Sequence, residues 1–166
     1  MKLLYSNILP LGTADDQQTI IDCFQEQLAK ADYVEIAVGY VSRASLEELD
    51  NLISDYSIKQ ICLNIGMYYI EGMPESSYHT AVKINKKWRA SRTGEIRIVR
   101  SFKYHGKLYC FYKDGVPFSA IIGSANLGVI KLEASNRRQY EISSLTIDPS
   151  LSLIHISEPT RLQLIA

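Results

Sequence analysis

Two short runs rich in β-branched and aromatic residues, YVEIAVGYV at 33–41 and IKQICLNI at 58–65, enclose a stretch with helical spacing. That alternation constrains the fold more than any other feature. Leu46, Leu49, Leu52 and Ile53 line one face of the enclosed helix, which Ser42 or Ser45 can cap. An earlier helix is predicted from Thr13 or Asp15 to about residue 31, with Ile20, Ile21, Phe24 and Leu28 in register. A third is predicted over 77–90. After it strands follow closely: 95–99, 108–112, 118–122 and 138–147, with Asp114-Gly115 as a turn and Asn126 opening a short helix to about 133. Strands and helices alternate early and strands cluster late. The expectation is an α/β fold, a mixed β-sheet flanked by helices on both faces.

Composition narrows the function classes. The 166 residues suit one domain, and 46% hydrophobic with 22% charged residues is ordinary globular usage. No apolar run approaches the length of a membrane span. The N-terminus lacks a signal-peptide pattern, and Cys23, Cys62 and Cys110 form no CxxC pair. We therefore expect a cytoplasmic protein with three reduced, buried thiols and no membrane partner. The net charge of zero hides an asymmetry. Residues 1–82 carry 4 Lys/Arg against 12 Asp/Glu, whereas 83–107 carry 9 Lys/Arg against Glu95 alone. Such a basic stretch is either a solvated helix face or a footprint for a polyanion.

Residues 151–161, LSLIHISEPTR, resemble the in-frame translation of a transposase sequencing adapter. The expected domain is therefore 1–150, with 151–166 outside the fold and the natural chain continuing further. On this reading His155 is no site candidate.

Three fragments carry chemistry: His105-Gly106-Lys107, Gly123-Ser124-Ala125-Asn126 and Glu141. On a strand, residues two apart share a face, so His105 and Lys107 point the same way. Neutral imidazole is a nucleophile near pH 7, and a fixed ammonium neutralises phosphate oxygens as charge builds. A Gly-Ser-x-Asn turn at a strand end offers backbone N–H, hydroxyl and amide donors, a cradle for an oxyanion. A carboxylate such as Glu141 can hold the second ring nitrogen of a histidine. Each fragment alone has a plain structural reading: a surface strand, or a turn with a helix cap. Their order and spacing, 16 residues from Lys107 to Gly123, give them weight together.

His105-x-Lys107 with Gly123-Ser124-x-Asn126 resembles the active-site motif of the phospholipase D superfamily. The text HGKLYCFYKDG…IIGSANLG…RRQYEIS, with GYVS at 39–42 and IGMYYIEGM at 65–73, is similar to its NgoFVII-type restriction endonuclease branch, over residues 3–148. One position departs from the broad motif: the aspartate five residues after the lysine is Tyr112 here. The resemblance implies a phospholipase D-like α/β sandwich and a metal-independent DNA endonuclease that hydrolyses phosphodiesters through a phosphohistidine on His105. Lys107, Ser124 and Asn126 would bind the phosphate, and Glu141 would orient His105. The chain carries one His-x-Lys, so the second histidine would come from a homodimer; His79 has no lysine two residues on and reads as a surface residue. No cofactor and no metal are implied. Arg97, Arg100 and Lys103 would lead a double-stranded DNA backbone to the site. Base recognition would belong to a separate C-terminal region, missing here. The alternatives are an RNA or lipid phosphodiesterase, or a non-catalytic DNA-binding or dimerisation module.

The remaining aromatic and sulfur residues have structural readings. Tyr109, Phe111, Tyr112 and Phe118 read as core, Trp88 as a helix anchor, and Met67 and Met73 as core fillers. Gly39 and Gly66 mark strand ends with close backbone approach.

Overall fold

A computed structural model describes residues 1–6, 8, 17–100, 102–131, 139–147 and 162–164. The chain order is β1 (Lys2–Tyr5), β2 (Gln18–Thr19), α1 (Ile20–Leu28), β3 (Tyr33–Val38), α2 (Arg43–Asp55), β4 (Gln60–Ile65), α3 (Tyr68–Glu71), α4 (Glu75–Ala90), β5 (Gly94–Val99), β6 (Leu108–Lys113), β7 (Val116–Gly123), a 3-10 turn (Leu127–Ile130), β8 (Ile142–Thr146) and β9 (Leu162–Leu164). The nine described strands form one mixed sheet, in the order β2-β1-β8-β7-β6-β3-β4-β5-β9. β3, β4 and β5 are parallel neighbours joined through α2 and α4, while β6, β7 and β8 are antiparallel. The α/β architecture with a mixed sheet is the one the sequence predicts.

Strand alternation sorts the residues. Val34, Ile36, Ile61, Leu63, Ile96, Tyr109, Phe111 and Ile121 join Phe24, Leu28, Leu46, Leu49, Ala81, Ile84 and Trp88 in one buried core. Phe24 meets Tyr109 and Phe111 edge to face at 5.7 and 5.6 Å, tying α1 to β6. Trp88 anchors α4 as predicted, its indole donating to Asp50 Oδ1 of α2 at 2.8 Å. Helices α1, α2 and α4 all pack on this face, because the parallel crossovers advance across the sheet in one direction and share one hand. The opposite face carries Glu35, Cys62, Asn64, Leu108, Cys110 and Ala120, with no described helix against it.

Several boundaries shift for local reasons. Thr19, not Thr13 or Asp15, caps α1: its hydroxyl accepts the Asp22 amide at 3.0 Å, and its backbone pairs with Tyr5 in β2. At α2 both predicted caps act together, Ser42 and Ser45 forming a reciprocal capping box. The hairpin β6–β7 turns on Asp114 (φ +51°) and Gly115 (φ +77°), the left-handed pair that a two-residue turn needs. β1 escapes the sequence reading because Leu3 and Leu4 show no alternation, although Leu3 is exposed and Leu4 buried. Leu162–Leu164, within the segment expected to lie outside the fold, pair antiparallel with Arg97–Val99 at the sheet edge. The other residues of 151–166, His155 among them, lie outside the described residues. So do 13–16 and 132–138, with Arg137 and Arg138.

Candidate active site

The sheet brings two strand ends to one place. β3 ends at Val38 and β7 at Gly123, either side of β6, whose entry carries residues 105–107. β6 starts at Leu108, as predicted, so His105 and Lys107 lie on the entry segment and not on a strand as the shared-face argument took them. Their facing is nonetheless shared. The Lys107 ammonium is 3.1 Å from both ring nitrogens of His105 and donates to the His105 carbonyl at 2.6 Å. A point equidistant from both nitrogens at that range lies over the ring face, since the ring plane there is filled by carbon. Lys107 is buried, at 8% exposure, whereas His105 is exposed. Burial lowers the Lys107 pKa, and the Glu141 carboxylate partly offsets this.

The Gly-Ser-x-Asn turn closes the opposite wall. The Gly123 amide donates to the Lys107 carbonyl at 3.3 Å, so the two motifs are joined by backbone. Asn126 Oδ1 accepts from the Gly39 amide at 3.1 Å and from the Tyr40 amide at 3.0 Å. Two backbone donors fix which amide atom is oxygen, and therefore turn the Asn126 NH₂ group away from β3. A Cβ on Gly39 would stand 3.4 Å from both Asn126 Oδ1 and His105 Cδ2, and 3.0 Å from Met67 Cγ. The bare backbone of Gly39 is what lets these groups converge. Buried Tyr109 donates its hydroxyl to the Ala125 carbonyl at 2.8 Å, holding the turn from beneath.

Glu141 joins the group in a different role from the one expected. The sequence reading assigns it to the second ring nitrogen of His105. In the structure its carboxylate accepts the Ser124 hydroxyl proton, while Ser124 Oγ also accepts the Ile142 amide at 3.1 Å. Glu141 directly precedes β8, which pairs with β7 just before Ser124, so this partner is the nearer one. His105, Lys107, Ser124, Asn126 and Glu141 are thus assembled around one rim, by a hydrogen-bonded turn and two strand ends.

The cationic candidates divide. Arg100 and Lys103 are exposed on the segment leading to His105. Arg97 lies on β5 and pairs with Glu95, close to Cys62 and Tyr33, so its charge is partnered within the sheet. His79 is exposed on α4, 3.5 Å from Glu75. Among the described residues no group of three His, Cys, Asp or Glu side chains could hold a metal ion, and no helix is long and apolar enough to cross a membrane.

Tyr40, Tyr68 and Tyr109 are parts of this site that sequence reasoning missed as contributors. All three lie within segments that carry the family resemblance, at 39–42, 65–73 and 105–115, but nothing local marks the hydroxyl contacts of Tyr68 and Tyr109.

Residues 18–161 match the family described as the NgoFVII restriction endonuclease N-terminal PLD domain. The chain belongs to this family. Its domain class is that of phospholipase D-type endonucleases, a phosphodiesterase class. The crystal structure of phosphatidylserine synthase from Haemophilus influenzae Rd KW20 shares the fold, with a TM-score of 0.57 at 13% identity. That likeness covers 97% of this chain and 39% of the synthase, so this chain spans about two fifths of its length. No curated protein matches the chain.

Proposed function

We propose that this phospholipase D-type domain is a metal-independent DNA endonuclease of restriction type, acting through a phosphohistidine and completed by a second copy of itself. The observation that carries the reading is the Lys107 ammonium held against the exposed His105 ring, opposite an Asn126 amide whose NH₂ is turned off the backbone. A nucleophile and two kinds of anion donor then lie close together around Gly39.

The chemistry follows from these groups. Neutral His105 attacks phosphorus through a ring nitrogen, forming a P–N bond as the P–O bond to the leaving group breaks. The leaving oxygen takes a proton from His105 of the second copy, acting as the acid. Charge on the non-bridging oxygens is met by Lys107 and by the Asn126 and Ser124 donors of both copies, with no divalent ion required. Water then attacks the phosphohistidine, gives its proton to the second histidine, and releases His105 as the P–N bond breaks. Glu141 keeps the Ser124 hydroxyl aligned and adds negative charge near Lys107. Arg100 and Lys103 extend the positive surface toward a double-stranded DNA backbone, and Arg97 serves the sheet instead.

The test is incubation of the purified chain with supercoiled plasmid in excess EDTA, beside His105→Ala. The expected result is nicking by the parent and none by the variant. Cleavage that strictly requires magnesium would reject the reading. RNA and phosphatidylcholine as parallel substrates separate a nuclease from other phosphodiesterases, and DNA binding without His105-dependent turnover would indicate a non-catalytic module.

A further inference from the structure

We infer that Tyr40 is a positioning residue for His105, the joint through which one aromatic buttress sets both halves of the site. The inference rests on the proposal that His105 is the nucleophile. Glu141, the carboxylate expected to orient the ring, is engaged by Ser124, which leaves the question of what aligns an exposed imidazole. Tyr40 directly follows Gly39 at the end of β3. Its ring meets His105 edge to face, with centroids 6.3 Å apart and planes at 77°. Its amide donates to Asn126 Oδ1 at 3.0 Å, the same bond that turns the Asn126 NH₂ outward. One residue therefore touches the proposed nucleophile through its side chain and an anion donor through its backbone.

The Tyr40 ring is itself fixed. Tyr68 of α3 packs against it at 5.4 Å and 80°. The Tyr68 hydroxyl donates to the Val41 carbonyl at 2.7 Å and accepts the Val41 amide at 3.1 Å. Both backbone groups of the residue after Tyr40 are thus held by the phenol that buttresses Tyr40. The chain Val41–Tyr68–Tyr40–His105 braces the imidazole without adding a charge. An aromatic edge on an aromatic face has a preferred geometry that an aliphatic side chain cannot reproduce. The Tyr40 hydroxyl plays no part in this, so phenylalanine should serve equally well.

The variants are Tyr40→Phe and Tyr40→Leu, the second filling most of the space without a ring. In the parent and in Tyr40→Phe, the His105 ring protons should resonate away from random-coil positions because of the neighbouring ring current. In Tyr40→Leu they should move toward random-coil values while the rest of the spectrum stays dispersed. With DNA in EDTA, Tyr40→Leu should lose roughly ten- to a hundredfold in kcat with KM changed less than about threefold, as misplacement of a reacting group does. Tyr40→Phe should stay within about twofold of the parent. Unchanged His105 resonances in Tyr40→Leu would overturn the inference, as would a loss confined to KM, which would make Tyr40 a DNA-contacting surface. Full activity in His105→Ala would instead overturn the catalytic reading on which it rests, and the resonances would still report whether Tyr40 aligns the ring.

Discussion

Lys107 is the residue at which environment and chemistry pull against each other. In the proposed reaction it must carry a proton to neutralise phosphate, yet burial disfavours the ammonium and lowers its pKa from the ordinary lysine value. The charged form exists below that pKa and is lost as pH rises through it. An alkaline fall in activity should therefore begin below the range in which an ordinary lysine titrates. Lys107→Arg keeps its charge throughout, so any activity it retains should lack this alkaline limb; identical pH profiles for the two would show that Lys107 does not set it. Stability moves the opposite way: burying the ammonium costs free energy while it is charged, and that cost is relieved as pH rises through the folded-state pKa. The His105, Lys107, Ser124 and Asn126 side chains were legible because their motif is compact and ordered. The bond from Glu141 to Ser124 was not, since it depends on β8 returning beside β7, a pairing no local pattern encodes. The inward pairing of Arg97 with Glu95 was hidden for a similar reason: two residues apart on a strand, they share a face, but which face meets solvent depends on the whole sheet.

Elements repeat the lesson with turns and caps. Where the chain announces a boundary by chemistry, sequence and structure agree: the Ser42–Ser45 capping box, the Asp114-Gly115 turn, and β3 and β4 with their β-branched runs. Where an element is made by tertiary pairing, the sequence is mute, as with the two-residue β2 and the non-alternating β1. Tyr112 shows a middle case. It occupies the position of the broad motif's aspartate, and its hydroxyl lies 3.4 Å from Glu35 on β3, so a carboxylate is still present there on the neighbouring strand. The β6–β7 turn joins the strand that leaves the candidate site to the one that returns to it. Gly115 at φ +77° tolerates no side chain without strain. Gly115→Ala should lower unfolding free energy by about 1–2 kcal/mol, read as a fall in the denaturant midpoint with an unchanged slope. An unchanged midpoint would mean that the turn relaxes to another type at no cost.

At the scale of the whole molecule, the parallel strands β3–β5 and the antiparallel strands β6–β8 share one core, and the site lies where β6 joins β3. The alternation of helices and strands was enough to predict the mixed α/β sheet. It was not enough to predict that α1, α2 and α4 share one face, which follows from the direction in which successive crossovers advance. The three cysteines are buried, and burial pushes the Cys23 and Cys62 thiols up to about 11 and that of Cys110 to about 12. None has the lowered pKa of a reactive thiol. In the proposed reaction a second copy supplies the other histidine opposite the exposed His105.

The central claim is that His105 becomes covalently joined to phosphorus. The most direct test mixes the chain with a short DNA duplex in EDTA, quenches it under alkaline denaturing conditions that preserve phosphohistidine, and measures the mass of the proteolytic fragment containing His105. The account predicts a fragment heavier by the attached DNA residue in the parent, absent from His105→Ala. Cleaved DNA with no adduct at any quench time, or cleavage only when magnesium is restored, would contradict it.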